Sequence, residues 1–172
     1  MAKYVDADVR LSVADGVLAE LPVNRESLGL LLAELEQQDG DLDAAAAVVE
    51  HLNPTSVAAL SLAELYSLMD RWSEVIEVTE GIENAEDVTA LLLVYRGRAF
   101  RQLGYHEAAH ETLKQALRFR SRQEQILNLA RIERGKNYLD QGKRSQARKD
   151  FERVLAVDSD FTGIAELLEA AS

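Results

Sequence analysis

Apolar residues recur every three and four positions along most of the chain, the spacing of one buried helix face. Leu113, Ala116 and Leu117 follow it, as do Ala147, Phe151, Val154 and Leu155. The runs Leu30-Leu31-Leu32-Ala33-Glu34-Leu35 and Ala44-Ala45-Ala46-Ala47-Val48-Val49 add strong helix formers. Asp39-Gly40-Asp41, Asp70-Arg71, Leu103-Gly104 and Gln141-Gly142 each interrupt a helical run. A left-handed residue at such a point ends a helix. A second amphipathic run follows each stop, so the pattern predicts a series of helical hairpins. Near the start, Val9, Leu11 and Val13 alternate, but Val9, Val13 and Val17 fit a helix, and the segment reads as helical.

Aligning the four stops exposes a repeat. Seven residues before Gly40, Asp70, Gly104 and Gly142 lie Ala33, Ala63, Gly97 and Gly135. Five residues after them lie Ala45, Val75, Ala109 and Ala147, and nine after lie Val49, Thr79, Leu113 and Phe151. Small residues let two helix axes approach, and larger apolar ones fill the space beside them. The stops are 30, 34 and 38 residues apart. The differences of four equal about one helical turn, which keeps the apolar face in register. Asn53-Pro54 predicts a shortened second helix in the first hairpin, and Arg118–Gln123 predicts a helix lengthened by a turn in the third.

These residues resemble the tetratricopeptide repeat (TPR) family, whose period is 34 residues. The fourth unit matches at Gly135, Tyr138, Gly142, Ala147 and Phe151. The third matches at Gly97, Phe100, Gly104, Ala109 and Leu113, and the second at Ala63, Tyr66 and Trp72, with Asp70 replacing a glycine. The first is degenerate, with Glu36 where tyrosine is usual. The resemblance spans about residues 25–158. It implies an all-α fold, a right-handed superhelix of about four hairpins near 25–53, 55–83, 87–119 and 122–156. Residues 23–158 would form the array and residues 159–172 a C-terminal capping helix. Residues 1–22 read as an N-terminal cap or linker, or the trailing edge of a longer protein.

Composition narrows the function. With 30 acidic and 19 basic side chains the net charge is −11, which disfavours nucleic-acid binding. The chain has no cysteine, so it offers no thiolate and no disulfide, and a cytoplasmic setting is expected. No apolar run is long enough to insert in a membrane. The charge is uneven: residues 1–90 carry four basic and 19 acidic side chains, residues 91–172 carry 15 and 11.

One motif carries chemistry. His106-Glu107-Ala108-Ala109-His110 has the H-E-x-x-H spacing that places two imidazoles on one helix face beside a general base. A zinc-dependent hydrolase would need a third ligand, and no histidine follows His110, which leaves Glu124 or Glu133. The TPR register accounts for His106 and Ala109 equally well, so no cofactor and no enzymatic activity are expected. Trp72 and the tyrosines fall at core positions of the pattern, and His51 reads as structural.

The resemblance implies where a partner binds. In the family the first helix of each pair lines a concave groove. Carried over, the lining residues are Leu30, Glu34 and Gln37, then Leu60, Glu64 and Ser67, then Val94, Arg98 and Arg101, then Ile132, Lys136 and Leu139. The groove would run from acidic Glu34 and Glu64 to basic Arg98, Arg101 and Lys136. It would hold a peptide or helix of a partner protein with an acidic segment. The family's carboxylate clamp is absent, since its positions hold residues such as Leu30, Glu34, Ser61, Leu91 and Tyr95. Head-to-tail self-association of the acidic and basic ends is the remaining expectation.

Overall fold

The computed structural model describes residues 8–14 and 17–172. The described chain divides into two compact units, residues 1–78 and 79–172.

The first unit opens on a β-hairpin. Strand β1 (Asp8–Ala14) pairs antiparallel with β2 (Val17–Pro22), with Arg10 opposite Glu20 and a register shift between Ser12 and Ala14. The helical reading through Val9, Val13 and Val17 is therefore corrected. The two-residue alternation prevails: Asp8, Arg10, Leu18 and Glu20 are exposed, and Arg10 Nε donates to Glu20 Oε1 at 2.6 Å across the strands. Asn24 then starts helix α1 (Arg25–Gln38) through a capping box, Asn24 Oδ1 accepting from Ser27 N at 2.9 Å. The buried Ser27 hydroxyl donates to Pro22 O at 2.8 Å and so fastens the end of β2 to α1.

Helices α1 and α2 (Leu42–Glu50) form the first hairpin, and α3 (Ser56–Leu68) and α4 (Trp72–Val78) the second. Strand β1 lies against α3 and α1. The reversal between α3 and α4 is made by Asp70 at φ 56°, the one non-glycine residue with positive φ among the described residues. Tyr66 on α3 donates its hydroxyl to Glu50 Oε1 at 2.6 Å and carries the Arg71 guanidinium 4.5 Å from its ring centroid.

The second unit contains α5 (Asp87–Gln102) with α6 (His106–Ala116), α7 (Glu124–Asp140) with α8 (Arg144–Val157), and α9 (Ile164–Ala170). The aligned small residues do what their spacing implies. A Cβ on Gly97 would lie 2.5 Å from Leu113 Cγ, and one on Gly135 would run into the Phe151 ring. Each hairpin closes at that point. Helix α9 packs on α8, where Ile164 and Ala171 join Ile132, Ala147, Phe151 and Val154 in one buried cluster. Helix α9 thereby covers apolar surface of the α7–α8 hairpin.

The third hairpin departs from expectation. Helix α6 ends at Ala116, and residues 118–123 form a connector, not an added helical turn. Asn84 explains the stop: its Nδ2 donates to Gln115 O at 2.8 Å and Ala116 O at 3.1 Å, capping the open carbonyl end of α6. Arg122 Nε donates to Asn84 Oδ1 at 2.8 Å and fixes the connector over it.

Candidate functional site

The first-helix positions expected to meet a partner differ sharply in what they can reach. Val94 on α5 is fully buried and Ile132 on α7 nearly so. Both are core residues, which corrects their assignment as groove contacts. Glu34 and Glu64 in the first unit are half-buried, and Glu34 accepts from Gln38 Nε2 at 3.4 Å.

The three basic positions converge on one carboxylate, Glu133, which the sequence offered only as a third zinc ligand. Arg98 Nε lies 3.1 Å from Glu133 Oε1, Arg101 NH2 lies 3.3 Å from Glu133 Oε2, and Lys136 Nζ lies 3.5 Å from Oε1. Arg101 also reaches Asp140 Oδ2 at 3.2 Å. Only 3% of the Glu133 side chain is exposed, against 20% for Arg98, 13% for Arg101 and 36% for Lys136. Burial pushes the Glu133 carboxyl up, but the charges of Arg98, Lys136 and Arg101, with the Arg98 hydrogen bond, outweigh it and hold the group below its ordinary range. The Arg98 guanidinium also stacks on Tyr95, 4.9 Å from its centroid. These arginines join α5 to α7 and are largely committed to that task.

The histidine pair is also occupied by packing. His106 Nδ1 hydrogen-bonds Asn137 Oδ1 at 2.9 Å, and Asn137 Nδ2 returns a bond to His106 O at 2.9 Å. His110 packs its ring 5.5 Å from that of Tyr138, and its buried Nδ1 has no hydrogen-bond partner. Glu124 pairs with Arg131 at 2.7 Å and Glu133 with the arginines above. Among the described residues no group of three His, Cys, Asp or Glu side chains is placed to hold a metal ion. Tyr105, expected in the core, is exposed and meets Phe100 edge-on.

Cationic side chains gather instead on α7, α8 and the connector that follows α6. A cavity of about 490 Å³ is lined by Leu117, Arg120, Glu124, Leu127, Arg131, Arg134 and Arg153. Arg134 is fixed there by a two-pronged ion pair with the buried Asp150. Burial lowers its proton affinity, but the Asp150 hydrogen bond and charge more than restore it, so Arg134 stays cationic. Arg120 and Arg153 are exposed and have no carboxylate partner among the described residues. Four guanidinium groups thus face two carboxylates, Glu124 and Asp150. Sequence reasoning missed this site because Arg131 and Arg134 lie on α7 at positions outside those the resemblance singles out, while Arg153 comes from α8 and Arg120 from the connector after α6.

Charge divides with the fold. Residues 1–78 hold four basic and 15 acidic side chains, and residues 79–172 hold 15 of each. The second unit is neutral as a whole, and the cavity gathers four of its 15 basic side chains. Among the described residues no helix is long and apolar enough to cross a membrane.

Residues 9–172 match the sequence family described as T7SS, ESX-1 secretion system protein EccA1, N-terminal domain. No curated protein matches in sequence. The crystal structure of the N-terminal domain of the EccA1 ATPase from the ESX-1 secretion system of Mycobacterium tuberculosis is similar at TM-score 0.74 and 19% identity, covering 90% of this chain and 58% of that one. The chain therefore spans less than two thirds of that domain. TTC0263, a thermophilic TPR protein of Thermus thermophilus, is similar at TM-score 0.68 and 22% identity, covering 85% of this chain and 80% of its own. MamA is similar at TM-score 0.66 and 17% identity, covering 81% and 82%. At these identities the likeness is one of fold: an all-α, TPR-like set of helical hairpins.

Proposed function

The chain belongs to the family of EccA1 N-terminal domains of the ESX-1 secretion system, and from that membership we propose that it is a non-catalytic protein-interaction module. The partner is a protein carrying an acidic segment. The arginine cavity of the second unit supports this reading most directly. Arginine presents a planar fork that matches a carboxylate in two-point geometry. Arg120 and Arg153 have that capacity free, and Leu117 and Leu127 supply apolar contact beside it. The α5–α7 face contributes Lys136, the most exposed of the three cations around Glu133. A TPR-like fold suits the role, since stacked hairpins present extended surfaces to other chains.

The test uses a fluorescent peptide rich in Asp and Glu, titrated into the full chain and followed by anisotropy. Binding that weakens with salt and drops at least tenfold in Arg120→Glu with Arg153→Glu is the expected result. Equal binding by the double variant moves the site elsewhere. Lys136→Glu, tested in parallel, reports the α5–α7 face. Arg98→Glu with Arg101→Glu would strand the buried Glu133 and open the joint between α5 and α7, so these two arginines are left intact.

A further inference from the structure

Helix α1 carries three leucines at i, i+4 and i+7 that no described residue covers. Leu28, Leu32 and Leu35 are 52%, 46% and 51% exposed. At about 100° per residue they lie within one narrow stripe, opposite the buried Leu30 and Ala33. The corresponding positions in the other hairpins are not open. On α3 they are Ala58, Leu62 and Leu65, on α5 Leu92, Arg96 and Ala99, and on α7 Ala130, Arg134 and Asn137, all buried or half-buried. Within the second unit the covering structure is visible: Asn137 reaches back to His106 of the preceding hairpin. Where the preceding hairpin lies in the same unit, at α3 and at α7, its helices pack against the helix that carries this register position. The β-hairpin touches α1 and α3 but leaves the leucines exposed.

We propose that the Leu28–Leu32–Leu35 face of α1 docks a basic amphipathic helix from another protein. The repeat register specifies a helix as occupant. The charge specifies its sign. Glu36 and Asp39 border the stripe toward the helix C-terminus, with Arg25 at its start. The unit as a whole carries 15 acidic and four basic side chains. Of those four bases, Arg10 is paired with Glu20 and Arg71 with Glu74. A second copy of this chain would bring the same negative field against itself, which disfavours self-pairing here. A helix with leucines on one face and Lys or Arg along its margins satisfies both demands. This surface lies in the first unit and is independent of the arginine cavity.

The experiment uses the full chain and two synthetic helical peptides. Both have leucines at i, i+4 and i+7; one has Lys and Arg on the flanks, the other Glu. Anisotropy is measured against the native chain and against Leu32→Gln with Leu35→Gln, a variant that removes only exposed apolar surface and keeps the native melting curve. The basic peptide should bind the native chain, weaken with salt, and lose at least tenfold affinity to the variant. Failure to bind, equal binding of both peptides, or equal binding to the variant overturns the proposal. Concentration-dependent dimers in light scattering that the variant abolishes overturn it too, because the face would then belong to a second copy.

Discussion

Arg134 forks onto Asp150, Nε to Oδ2 at 2.8 Å and NH2 to Oδ1 at 2.7 Å, and this pair fastens α7 to α8. Asp150 is 4% exposed and Arg134 16%. Replacing Asp150 by Ala leaves a guanidinium in a site with little water to screen it. The expected loss is about 3 kcal/mol, the range for breaking one side of a buried pair. Urea denaturation of the native and variant chains measures it. Because Arg134 also lines the cavity, the same variant should alter peptide binding through a displaced arginine.

Glu133 sets an acid limit on the second unit. Its carboxyl is held below the ordinary range in the fold and reverts to about 4.3 when the chain unfolds. A lowered folded value means the contribution is present above the unfolded value and is lost as pH falls through the folded one. Glu133→Gln should therefore lower stability at neutral pH, and the difference from the native chain should shrink as the pH drops below about 4. Thermal melts across that pH range check it.

Tyr66 sets an alkaline limit on the first unit. Burial first, then its hydrogen bond to Glu50, pushes the phenol up to about 12 from 10.0. Here the folded value exceeds the unfolded one. Its contribution is complete below pH 10 and disappears as the pH rises through about 12. Tyr66→Phe should flatten the alkaline fall in stability between those values, monitored by circular dichroism. At neutral pH it should cost about 1 kcal/mol, the net worth of a typical hydrogen bond.

Asp70 occupies a left-handed turn at φ 56° where the other hairpins of the repeat use glycine. An L-residue there carries a penalty of about 1 kcal/mol, which glycine avoids. Asp70→Gly should raise the melting temperature by a few degrees without altering the helices. An unchanged or lower melting temperature would mean that Asp70 compensates through interactions of its own.

The hairpin register is legible in the sequence because it rests on volume. Gly97 and Gly135, seven residues before a turn, meet Leu113 and Phe151, nine residues after it. Spacing and side-chain size alone encode that contact. Elements fixed by competing local signals are less legible. Val9, Val13 and Val17 fit a helix, while Val9, Leu11 and Val13 alternate as a strand does. The 118–123 connector is unreadable because what ends α6 is Asn84, 31 residues from Gln115. The site is least legible. Arg98, Arg101 and Lys136 stand out as a basic group, and Lys136 meets Glu133 at i+3 on α7, but the reach of Arg98 and Arg101 to Glu133 is a matter of distance between two helices, which one-dimensional spacing does not carry. Val94 and Ile132 fit a groove register and pack in the core instead.

The Asn84 contacts have a practical corollary. Arg122 and the end of α6 are both anchored to one amide, while Phe119, Arg120 and Ser121 between them are exposed. Chain length at that point is decoupled from the placement of α7, which is how this connector absorbs residues that the shorter 34-residue spacing lacks. It is therefore the place to graft a foreign epitope or a fluorescent reporter into the second unit, provided Asn84, Arg122 and the cavity's Arg120 are kept.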